Sequence, residues 1–433
     1  MSTTTTRIAA SSTTGSGRDP FIDLLRVGAI MTVVVGHWII PVFTTHNGTL
    51  SAGNALATPG WWLLTWFAQV MPVFFVAGGA ANYHSYTAAL RGGGTASTWL
   101  AARVRRLATP VLPLLAVWLV LPSVLRDFGV PGQPVALAAG VVGQLLWFLA
   151  VYLLTVAATP VMYRYGLKAS AILGVAAFGV DMVRFHGLPF VGYVNELLVW
   201  LAVQQLGIAY AAGRFPTRGA ATLGIAGFAT TALLVLFGPY PASMVGIPGQ
   251  SASNMAPATV CLLTLGVGQI GLLLALRERL VRATANSRLL RAVGPRCMTV
   301  YLWHMPAMII VAGIAVLGFG YTTPVPGSPA WLVVTPLWIV VLAAVLAVLV
   351  RVFCRFEATA RGSAAGRPVL AVGAVCVGLL GIAAFGFADP LRALPFAAAI
   401  VIGLWLAWPE AKAQLANGMT RLLGRLIDAI FTP

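Results

Sequence analysis

Residues 18–43 read RDPFIDLLRVGAIMTVVVGHWIIPVF, an apolar run of membrane-spanning length that carries a guanidinium, Arg26, near its start and an imidazole, His37, well inside. Eleven positions separate the two. At about 100° per residue that is roughly three turns with a remainder of only about 20°, so both side chains face one way along a helix. At 1.5 Å per residue they lie about 16 Å apart, with Arg26 near one membrane face and His37 about half a bilayer deeper. Ionisable groups at such depth are costly enough to count as functional-site hypotheses. The plainer reading has Arg26 reaching the interface, paired with Asp23 three residues earlier, and His37 as an interhelical hydrogen bonder.

Working outward, the whole chain is of one kind. With 59% hydrophobic and only 9% charged residues, 433 residues have too little polar surface to cover a soluble globule. Runs of bilayer length fall at about 25–43, 61–82, 106–122, 136–160, 168–182, 194–213, 220–238, 256–276, 297–320, 331–353, 368–388 and 392–408. The expected fold is therefore all-α, a polytopic transmembrane helical bundle of about ten core spans plus two C-terminal spans. The net charge of +17 raises nucleic acid as a partner, yet the basic residues are spread over short loops and form no patch. With a cytoplasmic N-terminus, all but Arg126, Arg184 and Arg392 fall in cytoplasmic segments, which fits both the span count and a multi-pass plasma-membrane protein. The expected partner is the bilayer, and no nucleic acid.

Four expected units follow. Residues 1–17, rich in Ser and Thr, read as a disordered cytoplasmic tail without a cleavable leader. Residues 18–355 form the core membrane domain, and 356–409 add two spans with no His, Glu or Lys in their apolar parts. Residues 410–433 read as an amphipathic tail. Cys261, Cys297, Cys354 and Cys376 lack the paired spacing of metal or redox motifs, so no metal ligands are expected.

Several other stretches carry polar chemistry. The second span ends in MPVFFVAGGAANYHS, residues 71–85, where Gly78 to Ala81 offer a small-residue face for close packing and His84 reaches the rim. Arg103 and Arg106 stand three apart on one helical face, either a topology signal or a site for phosphates. LLWFLAVYLL, residues 145–154, reads as core or lipid contact. Asp181, Arg184 and His186 cluster in an outer loop, and Asn195 with Glu196 reads as an interfacial anchor. The uncharged loop 238–257 has the length of a cap over an outward cavity, and 277–296 the pattern of a basic surface helix. In CMTVYLWHMPAMII, residues 297–310, His304 lies about two turns into the membrane, with Tyr301 beside it.

Taken together, Arg26-x10-His37, Met71-Pro72-x-Phe74-Phe75-Val76-x-x-Gly79, Arg103-x-x-Arg106, Leu146-Trp147-Phe148-Leu149 and Tyr301-Leu302-Trp303-His304-Met305-Pro306 resemble, in order and spacing, the acyltransferase-3 family of integral membrane O-acyltransferases over about residues 18–355. Ala77 departs from the serine common there. The resemblance implies acyl-CoA, acetyl-CoA foremost, as a cytoplasmic co-substrate with no bound cofactor. The acceptor would be a hydroxyl of an envelope glycan, a glycolipid or a macrolide-like secondary metabolite. His37 would be catalytic, as general base or acyl carrier, and Arg26, Arg103 and Arg106 would bind the donor. His304, Tyr301 and Asp23 remain for an acceptor or supporting role. The competing classes are a twelve-span secondary transporter, disfavoured by the absence of mid-span acids, and a lipid or glycan flippase.

Overall fold

The computed structural model describes residues 19–46, 49–247, 249–250, 252–358 and 366–408, so the expected tails 1–17 and 410–433 lie outside the described residues. Helix α1 (Pro20–Ile39) starts where the Asp19 side chain accepts from the Phe21 backbone N–H and Pro20 opens the first turn. The run was expected to span 25–43. Pro41 ends it early, because proline has no N–H to donate to a continuing helix, and the chain turns into strands β1 (Pro41–His46) and β2 (Thr49–Asn54). This antiparallel hairpin is the one sheet among the described residues. Phe43 ties it to the chain near residue 323: its backbone N–H donates to Thr323 Oγ1 at 2.9 Å and its carbonyl accepts from Thr323 N at 2.9 Å.

The rest is helical. After the short α2 (Leu64–Ala68) come α3 (Met71–Arg91), α4 (Ala96–Ala108), α5 (Val111–Asp127), α6 (Gly132–Gln144), α7 (Leu146–Met162), α8 (Leu167–Phe185) and α9 (Asn195–Ala211). They are followed by α10 (Ala220–Phe237), α11 (Val260–Ala275), α12 (Arg277–Thr284), α13 (Arg288–Val293), α14 (Cys297–Gly313), α15 (Pro329–Phe353), α16 (Arg355–Ala358), α17 (Pro368–Phe385) and α18 (Pro390–Ala407). The molecule is a polytopic helical bundle. Nine spans among the described residues are long and apolar enough to cross a membrane, or ten if the bent pair α11 and α12 counts as one. The expected twelve included α8, which carries Lys168, Asp181 and Arg184, and α9, which is only 17 residues long. The expected surface helix 277–296 is broken into α12, α13 and a further turn.

Close packing rests on missing side chains. A Cβ added at Gly207 of α9 would lie 1.9 Å from the Val76 carbonyl oxygen of α3, and one at Gly79 would lie 2.2 Å from the Gln204 carbonyl oxygen. Without a hydrophobic drive between helices in lipid, such contact is what dispersion forces need. Helices α17 and α18 pair with each other, α17 also packing on α7, α6 and α4, and α18 on α4 and α5. Arg105 of α4 lies under the Trp408 ring at 4.5 Å.

Gly207→Val should lower the thermal unfolding midpoint of the purified protein or prevent monodisperse folding, since overpacking of about 1–3 kcal/mol has no flexible neighbour to absorb it. Gly179→Ala on α8, whose added methyl meets nothing within 4 Å, should leave the midpoint unchanged.

Candidate active site

One cavity of about 1170 Å³ runs along α1, lined from Asp19 and Arg26 through His37 to Asn54 at the end of the hairpin. A 20-residue helix is about 30 Å long, so the two ends of the cavity are separated by about the thickness of a bilayer core. Helix α3 contributes Met71, Phe74, Gly78, Ala81 and Ser85, a stripe with helical period facing the same space. Arg26, His37, Arg103, Arg106, Asp23, Tyr301 and His304, scattered over almost 300 positions, all line it.

At its centre two histidines meet. His37 Nδ1 lies 2.8 Å from His304 Nε2, and His304 Nδ1 lies 2.6 Å from the Tyr301 carbonyl oxygen. A carbonyl can only accept, so His304 carries its proton on Nδ1. The neutral His304 ring then accepts at Nε2, which requires His37 to donate from Nδ1. The neutral His37 therefore presents a lone pair at Nε2, for which no hydrogen-bond partner exists among the described residues. His304 is fully buried, and its carbonyl accepts from Trp38 Nε1 at 3.0 Å, which binds α14 to α1 on the far side of the pair. The Tyr301 hydroxyl donates to the Leu145 carbonyl at the break between α6 and α7, fixing that kink beside the histidines.

Positive charge collects at one end. Arg26 donates to Asp23 Oδ1 at 3.0 Å and to the Gly294 carbonyl at 3.3 Å. Arg103 donates to Asn82 Oδ1 and lies 5.8 Å over the Trp99 ring, with Tyr152 also in reach. Arg106 is exposed, without a hydrogen-bond or ion-pair partner among the described residues. The acids nearby are engaged. Asp19 accepts from Tyr210 at 2.9 Å and pairs with Arg277, while Glu357 accepts from Met298 N, Thr299 N and Thr299 Oγ1 and so caps α14. Neither Arg103 nor Arg106 pairs with an acid among the described residues.

Other residues fall differently. Asp181 is buried, accepting from Asn195 Nδ2, Tyr240 and Val260 N, and Glu196 accepts from Trp200 and Ala258 N. With Arg184, which donates to the Pro257 and Ser253 carbonyls, they hold the loop 238–257 in place and do not line the cavity. The loop itself contributes Val245, Gly246, Met255 and Ala256 to the cavity's hairpin end. Asn82, Gln144, Phe148 and Tyr152 also line or support the site. Asn82 had a signal, a buried amide within an apolar span. Phe148 and Tyr152 had none, because an aromatic facing a cavity and one facing lipid look alike in sequence.

Residues 19–356 match the family described as an acyltransferase domain, the acyltransferase-3 family, across well over half of the chain. The protein belongs to this family and is a multi-pass membrane acyltransferase. No curated protein and no solved structure matches it.

His304→Ala removes the acceptor that orients His37. Acyl-transfer rate should fall about 10²-fold or more with the protein still folded, the outcome expected if His37 reacts through Nε2 in the tautomer that His304 fixes. His304→Gln, whose carbonyl can still accept from Nδ1, should recover part of the rate.

Proposed function

We propose that this acyltransferase takes an acyl group, acetyl foremost, from acyl-CoA at the arginine end of the cavity and delivers it to a hydroxyl arriving from the hairpin end. The observation that carries this reading is the free Nε2 of His37 midway along a cavity that has guanidiniums at one end only. CoA is a polyanion on a thin pantetheine arm. Its phosphates suit Arg103 and Arg106, with Arg26 supporting, and the arm suits the narrow distance of about 16 Å from Arg26 to His37.

The chemistry follows from the tautomers. His37 Nε2 attacks the thioester carbonyl, the C–S bond breaks and CoA leaves as thiolate. The positive charge on the acylated ring is relieved when Nδ1 passes its proton to His304 Nε2. In the second half the acceptor oxygen attacks the acyl carbon and the N–C bond breaks as His304 returns its proton to His37 Nδ1; the hydroxyl proton passes to the freed His37 Nε2 and on to the CoA thiolate, which is released as the thiol. An acyl-imidazole splits one long transfer into two short ones and allows donor and acceptor to bind at opposite ends. The arginine end is the cytoplasmic one in this reading, as the loop charges suggest, and the membrane is the plasma membrane.

Vesicles of both orientations test it. Radiolabelled acetyl-CoA should bind saturably only where the arginine end faces out. Arg103→Ala/Arg106→Ala should weaken binding by about 10²-fold, from the loss of charge-assisted hydrogen bonds worth about 1.5–3 kcal/mol each. His37→Ala should bind normally and transfer nothing. Equal binding by the double variant would refute the donor assignment.

A further inference from the structure

The two halves of the cavity differ in chemistry. Every Asp, Glu, Lys or Arg that lines it, from Asp19 to Glu357, lies at the arginine end, and none lies beyond His37 toward the hairpin. The hairpin half is walled by Leu56, Trp61, Leu64, Phe67, Val245 and Met255. Its polar side chains are largely consumed by the protein itself. Thr65 donates to the Trp62 carbonyl and accepts from Met244 N at 2.9 Å. Gln69 donates to the Met244 carbonyl at 3.1 Å and accepts from Met71 N, and Asn54 Oδ1 accepts from Leu56 N at 2.8 Å. Gln144, at the break between α6 and α7, is the amide that lines the cavity with no hydrogen-bond partner among the described residues. The rim is apolar too. Leu64 and Phe67 are 56% and 63% exposed, and the Phe67 ring lies 5.8 Å from that of Phe228 on the peripheral helix α10.

Resting on the acyl-transfer reading above, we propose that the acceptor is a largely apolar alcohol, a lipid-like molecule with one hydroxyl, and not a free sugar or polyhydroxylated glycan. A sugar entering this half would strip water from each hydroxyl and find few partners in return, whereas an apolar body gains by burial. One hydroxyl suffices: its oxygen attacks the acyl carbon on His37, the ester C–O bond forms as the N–C bond breaks, its proton passes to the freed His37 Nε2, and Gln144 is the amide lining the cavity able to hold the oxygen or the carbonyl. The alcohol enters sideways past Leu64 and Phe67 from the lipid.

Proteoliposomes given radiolabelled acetyl-CoA at the arginine face, with farnesol in the bilayer and glucose or trehalose at the hairpin face, test this. Labelled farnesyl ester should form at a rate at least about 10²-fold above labelled sugar, the discrimination an apolar pocket reaches against even one added hydroxyl. Val245→Arg, which sets a charge on a half-exposed loop position in the acceptor chamber, should suppress the farnesyl ester by a larger factor than it slows single-turnover release of CoA thiol. That contrast separates a chamber effect from mere partitioning of farnesol into the bilayer. Sugar acetylated as fast as farnesol, or farnesyl ester unaffected by Val245→Arg in a protein that still releases thiol, would overturn the inference and leave the acyltransferase reading standing. A wild-type protein that releases no thiol with any acceptor would overturn both.

Discussion

The hydrogen bond between His37 and His304 is the contact on which the rest depends. Two imidazoles deep in an apolar bundle must each satisfy two ring nitrogens, and only three of the four have partners among the described residues. The Tyr301 carbonyl sets the direction of the chain, and the fourth nitrogen, His37 Nε2, is left to the cavity. The scaffold defends this arrangement from behind: Trp38 donates to the His304 carbonyl, and Trp338 of α15 donates to the Trp38 carbonyl at 3.2 Å. These links turn α1, α14 and α15 into one unit that holds the pair in register. Movement of α14 by a fraction of a turn would cost the bond, the tautomer and the free lone pair together.

Much of this is legible in the sequence. The spacing of Arg26 and His37 already put both on one face of a helix, and the apolar runs gave the bundle. The juxtaposition of His37 with His304 was not legible, because a separation of 267 residues carries no periodicity. The hairpin at residues 41–54 escaped as well, since Thr, Ser, Gly and Asn there read equally as loop. The early end of α1 could have been inferred from Pro41 alone. Asp181 and Arg184, which read as charges in an outer loop, instead fasten the loop 238–257 and the residues just after it: Arg184 donates to the Ser253 and Pro257 carbonyls, and Asp181 accepts from the Tyr240 hydroxyl and Val260 N. Charge in an outer loop does not distinguish a site from a fastening.

The boundary near residue 356 has two meanings. Family resemblance stops there, as the match over residues 19–356 does, but packing runs across it. Helix α17 lies on α7, where Cys376 Sγ approaches the Ala150 carbonyl at 3.6 Å, and Arg105, one residue from Arg106, lies under Trp408. The last two spans therefore back the helices that carry Arg103, Arg106 and Tyr152, even though no residue of theirs lines the cavity.

Mass spectrometry of the protein quenched shortly after mixing with isotopically labelled acetyl-CoA tests the central claim most directly. An acyl group on the His37 imidazole, absent in His37→Ala and discharged when a hydroxyl acceptor is added, is the predicted result. Transfer that proceeds with His37 never acylated, or label held on another residue, would contradict it.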